Sequence, residues 1–169
     1  MKRLTLALLT VILMVPVASA QTRRRSTPRP AENPNLRATT VRNAGAMRVG
    51  DQIKVLSRFI YLLGGVAKGL ENVDEAARRN EASQAVLQQA EQNKASVRNS
   101  IRNVREGLDK LEIDFRSTTE LQPYYIKLAG SAAGAATAET QAANNQFDAA
   151  GRSLLGVINR LTDVLLIMR

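Results

Sequence analysis

Large apolar residues recur at spacings of three and four from about residue 50 onward, which is the pattern of helices with one buried face. The first such stretch predicts a helix over residues 50–79. Gly64 and Gly65 lie within it, and each weakens a helix by about 1 kcal/mol relative to alanine. We therefore expect a local kink or a close helix contact there. The apolar stripe consists of Ile53, Leu56, Ile60, Leu63, Ala67, Leu70 and Ala77, widened by Phe59, Val66 and Val73.

A second stretch of the same periodicity predicts a helix over residues 83–116. In the connection before it, Asn80 suits a left-handed residue that ends a helix, and Ser83 suits the N-cap of the next one. The other faces of this helix carry acids and bases at spacings of three and four, which is typical of a solvated surface. The predicted inward stripe consists of Val86, Ala90, Val97, Ile101, Val104, Leu108, Leu111 and Phe115.

The segment 120–143 is rich in alanine, the strongest helix former, and so predicts a helix and not a flexible linker. Thr119 is its predicted N-cap, and Pro123 fits only within the first helical turn. The small residues on this helix allow a neighbouring helix to approach more closely than usual. The residues proposed for that close packing are Gly130, Ala133 and Gly134, beside an inner stripe of Tyr125, Leu128, Ala132, Ala136 and Ala143.

Asn144 and Asn145 interrupt the helical pattern and predict a tight turn before a last helix over residues 146–168. Asn144 is the predicted end of the preceding helix, and Asn145 is the predicted N-cap of the last one. The local pattern of residues 142–150 resembles the inter-helix turn of a tetratricopeptide repeat. No second copy occurs at the roughly 34-residue period of such repeats. The resemblance therefore implies a tight helical turn and no family. The apolar positions of the last helix are Leu154, Val157, Ile158, Leu161, Leu165 and Met168.

Four amphipathic helices joined by short connections predict an all-α fold, an antiparallel up-down-up-down four-helix bundle over residues 49–169. Short connections favour this arrangement because they place sequential helices beside one another in opposite directions. The alternative is three long helices, in which residues 120–168 run unbroken. Their protruding apolar end would then be covered by dimerisation.

The N-terminus consists of two basic residues, an apolar stretch and a small-residue cleavage signature at residues 18–20. This pattern is typical of a secretory signal peptide over residues 1–20. The apolar stretch is shorter than the roughly 20 residues that span a bilayer. We therefore expect an exported product, periplasmic or secreted, that keeps no transmembrane anchor after cleavage.

Basic charge is concentrated in the segment that follows the predicted cleavage site. Residues 21–50 contain seven arginines and one acid, whereas residues 51–169 contain fifteen basic and fourteen acidic residues. Three prolines and few large apolar residues predict that residues 21–48 are a disordered tail. Arginine suits an anionic envelope or membrane surface because its planar guanidinium donates paired hydrogen bonds to phosphate. The candidate binding residues are Arg23, Arg24, Arg25, Arg29 and Arg37.

The chain contains no histidine and no cysteine, which excludes Ser-His-Asp and Cys-His catalysis and the usual zinc ligands. It also lacks the glycine-rich phosphate loops of nucleotide-binding proteins. Glu71, Asp74 and Glu75 lie at helical spacing, but no calcium-loop pattern accompanies them. We therefore predict no catalytic residues, no cofactor and no metal site. We also predict no nucleic-acid binding, because the basic tail has no interleaved aromatic residues for base stacking.

These features favour a non-catalytic exported helical bundle that acts by protein–protein contact in the cell envelope, as a scaffold or adaptor. Its predicted partner is another protein or a second copy of the chain. The alternative is an anionic-surface binder that uses the basic tail. The third hypothesis is an enzyme or small-ligand carrier, because small residues between helices can leave room for a pocket.

Overall fold

The computed structural model describes residues 34–169, and these residues are all-helical: 88% of them lie in helices and none lies in a strand. The predicted all-α class is therefore confirmed for this part of the chain. The predicted signal peptide and residues 21–33 of the predicted tail lie outside the described residues. The helices are α1 (Pro34–Arg78), α2 (Gln84–Ser117), α3 (Gln122–Leu128), α4 (Ser131–Ala143) and α5 (Phe147–Ile167).

Helix α1 begins at Pro34, and proline suits the first helical turn because its missing N–H needs no partner there. Residues 34–48 are thus helical, and the prediction that a disordered tail reaches residue 48 is wrong for them. The segment lacks a strong apolar stripe: Gly45 is its one buried residue, and Val41 and Ala46 are partly buried against the core. A Cβ on Gly45 would lie 2.7 Å from Leu121 Cδ2 and 3.1 Å from Met168 Cε. The absence of a side chain at residue 45 therefore lets α1 pack against both.

The connection between α1 and α2 forms as the sequence predicts. Asn80 is left-handed, with φ of 58°, and its backbone ends the last turn of α1. Ser83 is the N-cap of α2, and its side-chain oxygen accepts a hydrogen bond of 3.4 Å from the N–H of Val86. These two residues satisfy backbone groups that the helix ends leave unpaired.

The third predicted helix is interrupted between α3 and α4. Gly130 is left-handed, with φ of 89°, and it separates the two helices. Leu121, and not Thr119, is the N-cap of α3, with Pro123 in the first turn. The interruption changes the rotational phase of α4, so that Ala143 is exposed although the sequence predicts it inside. The alanines buried on α4 are Ala132, Ala135, Ala138 and Ala142.

The turn between α4 and α5 lies where the asparagines predict it. Gln146, and not Asn145, is the N-cap of α5. Asn145 is instead left-handed, with φ of 60°. The buried Phe147 begins α5 immediately afterwards. The C-terminal region is therefore divided into two helices in the described structure.

Polar contacts show how the helices are directed. Arg48 contacts Asp114, which joins the first half of α1 to the end of α2. Lys94 contacts Asp74, which joins the beginning of α2 to the end of α1. The two helices therefore run in opposite directions. Other contacts join α2 to α4 through Glu112–Ala132 and Arg98–Ala142, and α4 to α5 through Gln141–Ser153. A Cβ on Gly151 of α5 would lie 3.7 Å from Leu63 of α1.

The core lies among α1, α2, α4 and α5, and it is built from the stripes predicted for α1, α2 and α5. Leu121 and Leu128 of the α3 region complete it, and both are fully buried. Val66 and Val86 depart from the prediction because both are exposed. Both line an open groove between α1 and α2. The largest fully buried side chains are Phe115, Leu56, Ile101, Leu108, Leu121, Leu128, Leu154 and Leu161.

Candidate functional site

An apolar groove lies open between the second half of α1 and the first half of α2. One part, of about 270 Å³, is lined by Phe59, Leu62 and Val66 of α1 and by Val97 of α2. A second part, of about 300 Å³, also includes Val66 and continues towards Val86. Because the two parts share residues, they form one continuous groove, named here the α1–α2 groove.

The side of α1 that adjoins this groove is unusually apolar for a helix surface. Tyr61 is 84% exposed and Leu62 is 63% exposed. Gly65, Val66 and Gly69 lie beside them and are also exposed. These five residues are named here the α1 outer face. Contiguous exposed apolar residues of this kind mark contact sites on proteins more often than do single exposed ones.

The glycines of this region have no packing role within residues 34–169. A Cβ built on Gly64, Gly65 or Gly69 would meet no atom within 4 Å. Helix α1 nevertheless continues through all three. Each glycine costs a helix about 1 kcal/mol relative to alanine, so the described fold carries this cost without a compensating contact. The close helix contact predicted at Gly64 and Gly65 is not supplied by this part of the chain.

An ion-pair cluster around a buried lysine joins α1 to α2 near one end of the groove. Lys94 is 6% exposed, and its Nζ lies 3.0 Å from Asp74 Oδ1 and 3.1 Å from Glu91 Oε1. Burial lowers the pKa of Lys94, but its hydrogen bonds to the two carboxylates outweigh that effect and raise the pKa above its usual value. The ammonium group therefore stays charged and paired, as a structural contact.

A second polar cluster joins α2 to α4. Glu139 accepts hydrogen bonds from Nε of Arg102 and Nε of Arg105, at 2.9 Å and 2.8 Å. The hydrogen bond from Arg102 holds the pKa of Glu139 below its usual value, against the opposing effect of burial, and Arg105 adds to it. The hydrogen bond to Glu139 likewise raises the pKa of Arg105. Glu139 and Arg105 therefore stay charged and hold α4 against α2.

The carboxylates near the beginning of α5 are paired as well. A cleft of about 350 Å³ is lined by Glu71, Asp74, Asp148 and Arg152, among others. Asp74 binds Lys94, and Asp148 lies 2.6 Å from Arg152. Glu71 lies 3.4 Å from Lys68. Within residues 34–169, no group of three or more acidic side chains is placed to hold a metal ion.

The structure separates the residues predicted for close helix packing. A Cβ on Gly134 would lie 2.8 Å from Val157 Cγ2, so α4 and α5 approach closely there. Gly130 lies in the left-handed turn before α4, where a Cβ would lie 2.8 Å from Nη1 of Arg160. Ala133 is exposed and takes no part in the buried side of α4.

The residues predicted to bind an anionic surface are mostly outside the described part of the chain. Arg37 is the exception, and it lies exposed in the first turn of α1. The α1 outer face was not among the predicted sites. Its signal in the sequence is the pair Gly64 and Gly65 inside a helical pattern, which indicated a close contact without identifying a surface. Arg23, Arg24, Arg25 and Arg29 belong to residues 1–33.

No helix within residues 34–169 has both the length and the apolar character needed to span a membrane. No protein-family model, no curated protein and no solved structure matches the chain. Function is therefore inferred from the surface and the polar clusters alone.

Proposed function

We propose that this chain is an exported, non-catalytic, up-down-up-down four-helix bundle in which α3 and α4 together form the third helix. It acts by protein–protein contact in the cell envelope, as a scaffold or adaptor. The observation that carries this proposal is the α1 outer face, with Tyr61 and Leu62 exposed beside bare glycine backbone.

A partner that covers the α1 outer face would gain free energy by burying its exposed apolar side chains. Burying a leucine or an aromatic side chain fully contributes about 1.5–3 kcal/mol relative to leaving it exposed. Tyr61 and Leu62 are largely unburied, so a partner that covers them gains most of that contribution. The α1–α2 groove beside them, lined by Phe59 and Val97, extends the apolar area that a partner can cover. Contact with a protein surface is the use that this arrangement supports best.

The two polar clusters support the proposal that the protein is non-catalytic. Lys94 and Glu139 have shifted pKa values, and such shifts can mark catalytic groups. Here each shift is caused by ion pairs between helices, with Asp74 for the one and with Arg102 and Arg105 for the other. The groups are therefore explained by helix packing.

The contact function is tested by photo-crosslinking in the cells that produce the protein. A photoreactive amino acid replaces Leu62 in the full chain, and the matched control replaces Ile113, an exposed apolar residue on α2. We expect a discrete adduct from residue 62 and none from residue 113. If residue 62 gives no adduct, or both positions give the same diffuse adducts, the contact function is rejected.

Export is a separate part of the proposal and has its own test. The product is located by cell fractionation, and its N-terminus is sequenced. We expect an envelope or secreted fraction whose first residue is Gln21, since cleavage is predicted after Ala20. A product that keeps residues 1–20 in the cytoplasm contradicts this part.

Binding of an anionic surface by the basic tail is the second candidate function, and the concentration of arginines before residue 50 favours it. Each basic residue near an anionic membrane contributes about 1 kcal/mol, and salt weakens the effect. Flotation with anionic and with zwitterionic liposomes compares a chain that begins at residue 21 with one that begins at residue 34. We expect salt-sensitive binding of the longer chain to anionic liposomes only. Equal binding of both chains rejects the tail as the binding element.

A further inference from the structure

We infer that the α1 outer face binds the same face of a second copy of this chain, with the two α1 helices antiparallel and crossing at Gly65. This inference rests on the proposed contact function and names its partner. Three observations support a second copy as the partner: the exposed apolar residues, the shape of the face and the charges on either side of Gly65.

The face has the geometry of a helix contact. Tyr61, Gly65 and Gly69 are spaced by four residues, so they lie above one another on one side of α1. No atom of residues 34–169 comes within 4 Å of a Cβ built on either glycine. Two bare glycines on one line let another backbone approach more closely than side chains usually permit. The exposed Leu62 borders this line and supplies apolar area to the same contact.

The shape of the face complements itself. In an antiparallel pair that crosses at Gly65, residues equally far from Gly65 on its two sides lie opposite one another. Tyr61 of one copy then lies against Gly69 of the other, so the largest side chain of the face meets a position with none. Gly65 meets Gly65 at the centre. The symmetry is the two-fold kind that most homodimers adopt.

The charges beside the face also complement themselves. Lys54 and Arg58 precede Gly65, and Glu75 follows it. Glu71 also follows it, but this carboxylate is paired with Lys68 in the same helix. The antiparallel arrangement brings Lys54 of one copy beside Glu75 of the other, because the two are nearly equally far from Gly65. Within residues 34–169, Glu75 forms no ion pair, and the ion pair of Lys54 is an exposed one with Asp51, three residues earlier. Opposite charges that meet under a two-fold axis favour self-association over an unrelated partner.

A single introduced cysteine tests the position of the crossing, since the chain contains no native cysteine. Gly65→Cys places one thiol at the proposed two-fold axis, within the short distance that a disulfide requires. The matched control is Gly156→Cys, at an exposed glycine of α5 that also meets no atom within 4 Å. During mild oxidation of the purified full chain, we expect G65C to form disulfide-linked dimers at least about ten times faster than G156C, because bound copies hold the two thiols together. Equal rates for the two variants would overturn the inference.

A bulky side chain tests the close approach. Gly65→Leu removes a helix-weakening glycine but separates the two backbones, so its effects on folding and on association should have opposite signs. Light scattering at micromolar concentration should show dimers for the wild type and for Gly156→Leu, and monomers for Gly65→Leu. Circular dichroism of Gly65→Leu should show undiminished helix content. A dimeric G65L chain, or a wild type that remains monomeric at every concentration, contradicts the proposed dimer.

The crosslink at residue 62 separates this inference from the proposed function. An adduct with twice the mass of the chain, lost in Gly65→Leu, supports both. An adduct with a different protein supports the contact function and rejects the second copy as the partner. No adduct rejects both.

Discussion

The carboxylate of Glu139 on α4 accepts a hydrogen bond of 2.8 Å from Nε of Arg105 on α2. Arg102, one turn earlier on α2, donates to the other oxygen of the same carboxylate at 2.9 Å. One acid on α4 thus holds two turns of α2. We regard this cluster as a main polar contact between these two helices, because both donors are charged and point to one acceptor.

Glu139→Gln should therefore lower the free energy of unfolding by about 1–2 kcal/mol at pH 7, because charged hydrogen bonds are lost and the side chain is only partly exposed. The pKa of Glu139 is lowered in the folded protein. Its contribution is therefore present above the usual glutamate pKa of about 4.5 and is lost as the pH falls through the lower folded value. Urea unfolding at pH 7 and pH 3 measures both effects.

The control for this prediction is Glu106→Gln, an exposed acid on α2. We expect the difference in stability between the wild type and E139Q to shrink at pH 3, while E106Q stays within about 0.5 kcal/mol of the wild type throughout. A pH-independent difference for E139Q would contradict the role of the carboxylate charge.

Substitution of Asp74 should destabilise the protein more than substitution of Lys94. Asp74→Ala removes a partner and leaves a buried charge, whereas Lys94→Met removes the buried charge and leaves two carboxylates in contact with water. We expect Asp74→Ala to cost about 1–3 kcal/mol and Lys94→Met less than about 1 kcal/mol. Chemical denaturation of both variants measures the order, and a larger loss for K94M would contradict it.

The ion pairs of Lys94 should stop stabilising the protein at high pH. The pKa of Lys94 is raised by folding, so its contribution is fully present below its usual value of 10.5 and is lost as the pH rises through the folded value. The stability difference between the wild type and Lys94→Met should therefore change between pH 10 and pH 12. Using this difference removes any effect that is common to both chains. A constant difference would contradict the prediction.

Leu121 tests whether residues 34–48 belong to the folded bundle. It is fully buried and lies against the backbone of Gly45. Leu121→Ala should destabilise the protein by about 2–5 kcal/mol, as truncations in well-packed cores do. The control is Ile126→Ala on α3, where the side chain is 80% exposed and little change is expected. Similar melting temperatures for both variants would mean that α1 does not pack there.

Gly130 tests the interruption between α3 and α4. Its φ of 89° is left-handed, and a Cβ would lie 2.8 Å from Nη1 of Arg160. Gly130→Ala should therefore cost about 1–2 kcal/mol. Gly156→Ala, at an exposed helical glycine, should instead stabilise the protein by about 0.5–1 kcal/mol. Thermal unfolding followed by circular dichroism compares the two, and the same sign for both would contradict the proposed backbone geometry.

Much of the fold was accessible from the sequence because the strong stripes on α1, α2 and α5 contain large aliphatic residues at helical spacing. Asn80, Ser83 and Asn145 marked the turns, since each has a known role at a helix end. Residues 34–48 were assigned wrongly because their burial depends on small residues. Gly45 contributes to packing by having no side chain. A pattern of large apolar residues cannot reveal a contact of this kind.

The candidate site was predicted only in part. The glycines at residues 64 and 65 indicated a close contact, but the sequence did not show that the described fold leaves them bare. Leu62 lies outside the stripe predicted for α1, but helical periodicity does not specify the open groove between α1 and α2 beside it. The phase of α4 was missed for a similar reason, because the extended Ala129 and the left-handed Gly130 reset it.

The interruption at Ala129 and Gly130 also offers a short joint at which the third helix can change length. An extra residue between Leu128 and Gly130 can be absorbed at this joint, which leaves the fully buried Leu128 and the alanines on α4 in their orientations. An extra residue within α4 would turn every later alanine by about 100° around the helix axis and would move Glu139 away from α2. Insertions should therefore be tolerated between Leu128 and Gly130 and harmful within α4.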